Sequence, residues 1–345
     1  MVIELRSDTF TLPTKEMLEA VNPNYLGDDI YGEDSYVLEL ERKAAEIFDK
    51  EASILFPSGT MANLTAIMAH SPRGSKVIVG NESDIYIYEA GGASVCGGII
   101  YEPINTQEDG RLLVQDIERA IPLNKEDPQF SLPSLICIEN PHNRMGGRIL
   151  PLSYLKEMSE YARSKELPIH MDGARIFNAS QALNVEPRVI SEHVDSLQFC
   201  LSKGLSAPIG SMLVGNKDFI LKARRIRKML GGGMRQAGII ARPGIVALNN
   251  MVSRLKKDHE NAEKFGIGLS KIPGIECNVE KIETNIVFFR VIDERYSLIE
   301  FIKLAKYNNL NIDELGYGRI RAVTHSGIDS EDIEQALTII KKIMK

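Results

Sequence analysis

Seven short runs of β-forming residues alternate with amphipathic stretches between residues 50 and 215. This order predicts βα units laid into one mostly parallel sheet with helices on both faces. The candidate strands are 53–56, 76–79, 98–101, 135–138, 168–171, 196–201 and 211–214. In open sheets of this kind ligands bind beyond the carboxyl ends of the strands, so polar residues that directly follow a run are the first candidates for a site.

A second, smaller unit is expected towards the end of the chain. A glycine-rich turn at 231–233 separates helical stretches at 219–230 and roughly 240–258. Beyond it, 285–290 and 319–324 have the pattern of strands, and apolar residues at helical spacing mark a closing helix. We therefore predict an α/β fold with a large domain at residues 1–244, including an N-terminal arm, and a smaller α+β domain at 245–345.

Charge and cysteine usage exclude several classes of protein. The chain has 41 lysine and arginine residues and 47 acidic residues, and the two signs of charge are interspersed along it. A nucleic-acid or anionic-membrane partner is therefore not expected. The four cysteines are far apart and lie mostly in apolar runs, as buried free thiols would, rather than as a disulfide framework or a metal centre. Neither a leader peptide nor a run near the roughly 18 apolar residues of a membrane span is visible. These features predict a cytoplasmic protein.

Lys203 and Asp172 each follow a predicted strand. Lys203 lies between an apolar run and a turn of small residues, where packing gives little reason for a lysine. Pyridoxal phosphate needs such a pair, because a lysine holds its aldehyde covalently and an acid keeps its ring nitrogen protonated. The alternatives are a surface turn lysine and a loop carboxylate that caps the helix starting near Ala174.

Ser58, Gly59 and Thr60 follow a strand and open an apolar helix, whose amides and dipole would form a seat for the cofactor phosphate. The alternative is a plain helix N-cap at Ser58. Arg175, one turn beyond Asp172, could bind a substrate carboxylate with a bidentate fork, or it could be a solvated helix residue.

Motifs spread along the chain carry a resemblance to a known family. They lie at 170–179, 202–211 and 227–238, with shorter ones at 5–9, 29–34, 88–92 and 321–325. With them the chain resembles the low-specificity L-threonine aldolases, which are aspartate-aminotransferase-like (fold type I) pyridoxal-phosphate enzymes. The resemblance implies retro-aldol cleavage of L-threonine or L-allo-threonine, which are β-hydroxy-α-amino acids, to glycine and acetaldehyde. The alternatives are β-elimination, transamination or racemisation on the same scaffold, or a non-catalytic sensor of the cofactor or an amino acid.

The same resemblance implies roles for individual residues. The implied cofactor contacts are Lys203 as the Schiff-base lysine, Asp172 at the ring nitrogen, Ser58, Gly59 and Thr60 at the phosphate, Ser202, Arg175, and Arg235 reaching a neighbouring subunit's phosphate. The implied substrate contacts are Ser7, Arg175 and Arg321 at the carboxylate, Tyr31 from the partner chain, and His142 near the β-hydroxyl. A site shared in this way implies at least a homodimer and favours a homotetramer.

Each of these roles has a plainer alternative. Ser7 could form a turn, Tyr31 could be an aromatic at the core edge, Arg321 could be a charge on a sheet surface, and His142 could be a loop imidazole bound by backbone.

Asp84 departs from the family pattern, which usually has a histidine stacked on the cofactor ring at this position. A carboxylate cannot stack as an imidazole does, and its charge would shift the proton balance of the Schiff base. It could also accept a proton from the β-hydroxyl. We therefore count Asp84 with Lys203 and His142 as candidate catalytic residues.

Overall fold

The computed structural model describes residues 2–345. Its strands in chain order are β1 (Ile3–Glu4), β2 (Ala52–Phe56), β3 (Lys76–Gly80), β4 (Ile100–Ile104), β5 (Pro133–Glu139), β6 (Ile169–Asp172), β7 (Ser196–Cys200), β8 (Ser211–Gly215), β9 (Ile275–Glu276), β10 (Ile286–Val291), β11 (Leu310–Asn311), β12 (Asp313–Glu314) and β13 (Ile320–Val323). Its helices are α1 (Lys15–Glu19), α2 (Ser35–Ile47), α3 (Gly59–His70), α4 (Asp84–Ile87), α5 (Val114–Ala120), α6 (Leu152–Ser164), α7 (Ile176–Leu183), α8 (Pro187–Ser191), α9 (Lys217–Met229), α10 (Gly238–Asn250), α11 (Leu255–Leu269), α12 (Leu298–Tyr307) and α13 (Ser330–Ile343).

The central sheet has the strand order β2-β8-β7-β6-β5-β3-β4. Strand β8 is antiparallel to both of its neighbours, and the other adjacent pairs are parallel. This confirms the predicted mostly parallel sheet, and each of the seven predicted runs contributes a strand. The carboxyl ends of β2, β3, β5, β6 and β7 therefore meet at one edge of the sheet.

Burial explains why these runs form strands rather than helices. Every residue of β6, β7 and β8 is buried, as expected for short β-rich segments covered on both faces. The run predicted at 98–101 begins as a strand only at Ile100, because Gly98 adopts a left-handed conformation (φ +64°) at the end of a preceding helical turn.

The smaller unit contains an antiparallel sheet in the order β12-β13-β10-β9. Strands β10 and β13 confirm the two predicted strands, and α13 buries the predicted apolar face. Ile3 and Leu5 from the N-terminal arm are part of this unit's hydrophobic core, and β1 pairs in parallel with β11. The domain division at residue 244 stays a prediction; buried residues of α10 on both sides of it pack in the large core.

The stretch predicted as one helix at 240–258 forms two, α10 and α11, separated by a turn at 251–254. The sequence around the break, Asn-Asn-Met-Val-Ser, is rich in residues of low helix propensity. Leu255, at the start of α11, still packs in the large core, so the turn redirects the chain towards the smaller unit.

The four cysteines are unpaired, with Cys137 and Cys200 buried and Cys277 partly buried. Cys96 is exposed, because it lies in the helical turn Ala93–Gly97 rather than in a strand. The expectation of a buried thiol is therefore wrong at that position. Across residues 2–345, no helix combines the length and the apolar character that crossing a bilayer would require.

Candidate active site

Asp172 is the last residue of β6 and is buried. Its Oδ1 accepts hydrogen bonds from Gln198 Nε2 at 2.6 Å and from Ala174 N at 3.0 Å, while Oδ2 accepts from Asn63 Nδ2 at 2.9 Å. Burial raises the pKa of this carboxyl, and the positive charge of Lys203 opposes the rise. Asp172 does cap the turn at Ala174, but its other two donors also fix the orientation of the carboxylate.

Lys203 lies in the loop after β7, at the same edge of the sheet. Its side chain is partly buried, and its charge opposes the rise in the pKa of Asp172 and contributes to the lowered pKa of Asp8. The hydroxyl of Thr11 donates to the backbone oxygen of Lys203 at 2.8 Å, which ties the loop to the N-terminal arm. This environment of carboxylates differs from that of a lysine in an open surface turn.

Arg175 forms a buried bidentate ion pair with Asp8. Its Nε and Nη2 donate to Asp8 Oδ2 and Oδ1 at 2.8 and 2.6 Å. Burial alone would raise the pKa of Asp8, but the charge and hydrogen bonds of Arg175 outweigh it and hold that pKa well below its ordinary value. Arg175 is therefore not a solvated helix residue, and Nη1 takes part in neither bond with Asp8.

Arg321 connects three segments of the chain. Its Nη1 donates to Asn143 Oδ1 at 2.7 Å, and its Nη2 donates to the backbone oxygen of Arg6 at 3.0 Å. Asn143 Nδ2 in turn donates to both carboxylate oxygens of Asp84 at 3.1 Å. Asp84 is thus linked to Arg321 through one amide side chain.

Two further buried carboxyls line this edge, Glu139 and Glu89. Glu139 accepts from the backbone N–H groups of Asp84 and Asn143, both at 2.8 Å. Burial, followed by the negative charges of Asp84 and Asp172, raises its pKa well above the ordinary value. Burial, followed by the charge of Asp172, raises the pKa of Glu89 in the same way.

His142 is buried directly after the cis peptide bond Asn140–Pro141. Burial lowers its pKa to about 4, so the imidazole is neutral at pH 7. Within the described part of the chain its Nδ1 has no hydrogen-bond partner, and the nearest carboxylate oxygen, of Glu139, is 3.8 Å away. This does not support the alternative of a loop imidazole satisfied by backbone.

The segment Ser58-Gly59-Thr60 forms the N-terminus of α3. The Ser58 hydroxyl accepts from Met61 N at 3.2 Å and so acts as the N-cap. A Cβ added at Gly59 would lie 3.0 Å from Cys200 Sγ, so the helix start packs against the end of β7. A helix N-terminus, Lys203 and the buried acid Asp172 at one edge fit the phosphate, aldehyde and ring nitrogen of pyridoxal phosphate.

Comparison with known proteins gives one consistent family. The β-eliminating lyase family matches residues 4–292. This chain belongs to that family. Its curated relatives include a probable low-specificity L-threonine aldolase 2 from Arabidopsis thaliana, 42% identical over 99% of this chain and 97% of the relative. They also include the low specificity L-threonine aldolase of Escherichia coli K12, 42% identical over 97% of both chains.

Solved structures share the fold of this β-eliminating lyase. A putative L-allo-threonine aldolase from Listeria monocytogenes superposes with a TM-score of 0.79 at 22% identity, over 95% of this chain and 91% of that one. The threonine aldolase of Leishmania major gives a TM-score of 0.81 at 20% identity, over 99% and 100%. At these identities the likeness shows the fold alone, a large mostly parallel sheet with a smaller C-terminal unit.

The remaining predicted site residues of this lyase include Ser7, Tyr31 and Arg235. Ser7 lies in a turn, where its Oγ accepts from Thr9 N at 3.2 Å next to the Asp8–Arg175 pair, and its role at a substrate carboxylate stays a prediction. Tyr31 is 77% exposed, so it is not an aromatic of the core edge. Arg235 is half-exposed and pairs with Asp28 at 3.1 Å, and its backbone oxygen accepts from Asp29 N at 2.9 Å. Roles for Tyr31 and Arg235 in a partner's site stay predictions.

Sequence reasoning missed several residues that shape the site of this lyase. Asp8 and Glu89 lie within the quoted motifs, and Asn143 directly follows His142, so their positions gave a signal that was not used. Asn63 lies one turn beyond Gly59 on α3, but nothing in the sequence indicates that it binds Asp172.

Proposed function

We propose that this chain is a pyridoxal-phosphate-dependent aldolase that cleaves L-threonine or L-allo-threonine to glycine and acetaldehyde. The observation that carries the proposal is the convergence of Lys203 and buried Asp172 with two arginines, Arg175 and Arg321, at one sheet edge. The curated relatives named as low-specificity L-threonine aldolases support it over nearly the full length.

The cofactor, when bound, supplies an electron sink for the pair of electrons left at the substrate's Cα. In our proposal Lys203 holds its aldehyde carbon, Asp172 accepts a hydrogen bond from its ring nitrogen, and the N-terminus of α3 receives its phosphate. The fixed donors of Asp172 support this placement. Ser202, next to Lys203 in the sequence, is a further proposed contact of the cofactor.

The substrate's carboxylate would be held by Arg321, by Arg175 and by Ser7. Arg175 stays charged because Asp8 raises its pKa further above its ordinary value, although burial alone would lower it. Holding the carboxylate fixes the rotation about the Cα–N bond, and this rotation selects which bond at Cα breaks. The two arginines would in this way favour cleavage between Cα and Cβ.

Cleavage also requires the β-hydroxyl to lose its proton. His142 is a neutral base whose buried Nδ1 has no hydrogen-bond partner, and Asp84 is near enough for its charge to act on that imidazole. We propose that the proton passes to one of these two groups as the Cα–Cβ bond breaks and the aldehyde forms. A proton must later return to Cα to yield glycine.

The test is to incubate the purified protein with pyridoxal phosphate and either threonine isomer, and to follow acetaldehyde and glycine together. We expect equimolar products, and we expect Lys203→Ala to lose both the covalent absorbance band and turnover. Lys281→Ala, an exposed lysine, is the matched control and should leave both unchanged. Unchanged turnover in Lys203→Ala would contradict the proposed mechanism.

A second candidate is another reaction on the same scaffold, namely β-elimination, transamination or racemisation. The observation that favours this second candidate is Asp84, because a carboxylate at this position changes the charge beside the cofactor ring. A cofactor band without acetaldehyde or glycine would replace the aldolase with one of these reactions.

We also propose a homodimer at least, assembled further into a homotetramer, with sites shared between subunits. The exposure of Tyr31 and Arg235 supports the sharing. Mixing inactive Lys203→Ala with inactive Arg235→Ala subunits would then restore roughly a quarter of the sites, because each mixed dimer has one intact site. No recovery after dissociation and remixing would contradict sharing. The cytoplasmic location stays a prediction.

A further inference from the structure

A strip of polar side chains, three of them buried and one partly buried, crosses the contact between α3 and the central sheet. It contains Asn63 and His70 on α3, two turns apart, His170 on β6 and Ser196 on β7, which are direct neighbours in the sheet register. Asn63, His170 and Ser196 are all at most 1% exposed. Helix-to-sheet contacts are normally apolar, since a buried polar group is costly unless it is hydrogen-bonded. The reaction proposed above uses none of the four directly.

The four side chains form one continuous chain that ends at Asp172. His70 Nε2 lies 2.8 Å from Ser196 Oγ, and Ser196 Oγ lies 2.9 Å from His170 Nδ1. His170 Nε2 lies 3.0 Å from Asn63 Oδ1, and Asn63 Nδ2 lies 2.9 Å from Asp172 Oδ2. A second hydrogen on Asn63 Nδ2 goes to Glu89 Oε1 at 2.8 Å.

The chemistry of the groups fixes the direction of each hydrogen bond. An ionised carboxylate only accepts, so the amide nitrogen of Asn63 must face Asp172 and its oxygen must face His170. Burial lowers the pKa of His170 to about 3, so the ring is neutral and carries one proton. That proton must lie on Nε2, which leaves Nδ1 to accept from the Ser196 hydroxyl.

The same argument extends to the far end of the chain. Once the Ser196 hydroxyl donates to His170, its oxygen can only accept from His70, so His70 carries its proton on Nε2. Burial lowers the pKa of His70 to about 4, so it too is neutral at pH 7. All four donors therefore point towards Asp172.

We infer that His70, Ser196, His170 and Asn63 form an aligned hydrogen-bond chain that keeps Asp172 ionised and oriented for the cofactor's ring nitrogen. The inference rests on the proposed cofactor role of Asp172. The four are positioning residues, since none of them touches the reacting atoms.

The hydrogen-bond chain acts on Asp172 together with several charged neighbours, some of which it opposes and one of which it reinforces. Burial and the charge of Asp84 favour the protonated carboxyl, Lys203 favours the carboxylate, and Glu89 and Glu139 are the other acids that face it. A donor chain ending at Oδ2 stabilises the charged form. At the other end, Asp195 and Lys222 face His70, whose ring stacks on Phe219 with centroids 4.4 Å apart.

The first test examines the cofactor-free protein by ¹⁵N NMR of its six histidines. We expect the resonances that change in His170→Gln and His70→Gln to show neutral rings protonated at Nε2. A ring protonated at Nδ1 at either position, or a charged ring at pH 7, would contradict the inferred hydrogen-bond chain. This measurement does not depend on the reaction that the protein catalyses.

The second test compares Ser196→Ala with Ser191→Ala. Ser191 is equally buried and donates to the backbone oxygen of Phe48 at 2.6 Å, so its loss matches the packing change without touching the chain. Loss of one hydrogen bond corresponds to about a fivefold change. We therefore expect Ser196→Ala to bind pyridoxal phosphate about fivefold more weakly and to lower kcat with little change in KM.

Ser196→Thr keeps the hydroxyl and should restore the affinity. An unchanged melting temperature of this variant would show that the buried strand accommodates the added methyl group. Equal affinities and equal kcat values for Ser196→Ala and Ser191→Ala would overturn the inference. A protein that shows the expected tautomers but no cofactor band at all would instead overturn the proposed function.

Discussion

The two halves of the candidate site are built in different ways. The ring half consists of Asn63, Asp172, Gln198 and Lys203, and the carboxylate half consists of Ser7, Asp8, Asn143, Arg175 and Arg321. The ring half takes its residues from the adjacent strands β6 and β7, from the loop that follows β7, and from α3, which packs on them. The carboxylate half is joined by hydrogen bonds between residues 167, 178 and 315 positions apart. We infer that the ring half governs turnover, whereas the carboxylate half governs stability and substrate affinity.

The largest effect is expected in the ring half, from Asp172→Asn. An asparagine of the same shape carries no charge and cannot favour a protonated ring nitrogen, so kcat should fall roughly a thousandfold. Thermal unfolding should change much less, because the side chain keeps its volume. A kcat within tenfold of the unmodified protein would show that the ring half does not control turnover.

The next effect is expected in the carboxylate half, from Asp8→Asn. It leaves the buried charge of Arg175 without a partner, which typically costs about 3–5 kcal/mol of the free energy of unfolding. Urea titration would measure this loss. Asp293→Asn breaks a surface pair with Arg295 and is the matched control, which should leave stability nearly unchanged.

The Asp8–Arg175 pair also predicts a dependence on pH. Because the folded protein holds the pKa of Asp8 below the unfolded value of about 3.9, the unfolded chain binds more protons in acid. The stabilisation is therefore full above that value and is lost as the pH falls below it. Asp8→Asn should show a smaller decline in stability over this range.

A smaller effect is expected from Arg321→Lys. A lysine cannot donate to Asn143 and Arg6 in a planar fork and also hold a substrate carboxylate, so KM for threonine should rise about tenfold. Steady-state kinetics would separate this rise from a change in kcat. Arg290→Lys, at an exposed position on β10, is the control. A fall in kcat alone would place Arg321 with the ring half.

The smallest effects are expected from Asp84→Asn and Asn143→Ala. Each loosens the link that holds Arg321, and each should raise KM about fivefold, as for the loss of a single hydrogen bond. If both act through the same link, the double variant should be no worse than Asn143→Ala alone. Additive effects, or a fall in kcat with Asp84→Asn alone, would mean that Asp84 acts on the substrate separately from Arg321, as one of the two proton acceptors proposed above.

The ring half was largely predictable from the sequence. Parallel strands place their carboxyl ends at one edge, so Asp172 and Lys203 could be brought together once the strands were recognised. The family resemblance then supported the pair and the start of α3. Asn63 was missed because its side chain meets Asp172 only through the packing of α3 on the sheet. Gln198 was missed because it reaches Asp172 through the pairing of β6 with β7, whose register no local pattern encodes.

The carboxylate half was predictable only in part. Arg175 and Arg321 came from the resemblance, but their partners Asp8 and Asn143 depend on how distant segments dock, which no local pattern encodes. The division of 240–258 into two helices was missed for a related reason. Weak helix formers do not by themselves show where tertiary packing ends a helix.

The pairing of the first strand has a consequence for biosynthesis. Glu4 binds the side chain of Asn311, 307 positions later, at 2.8 Å, and the arm that carries Ser7 and Asp8 follows directly. During translation this arm cannot dock until residue 311 has left the ribosome. The nascent chain therefore completes the strands around Lys203 well before it can assemble the arginine fork that would recognise an amino acid.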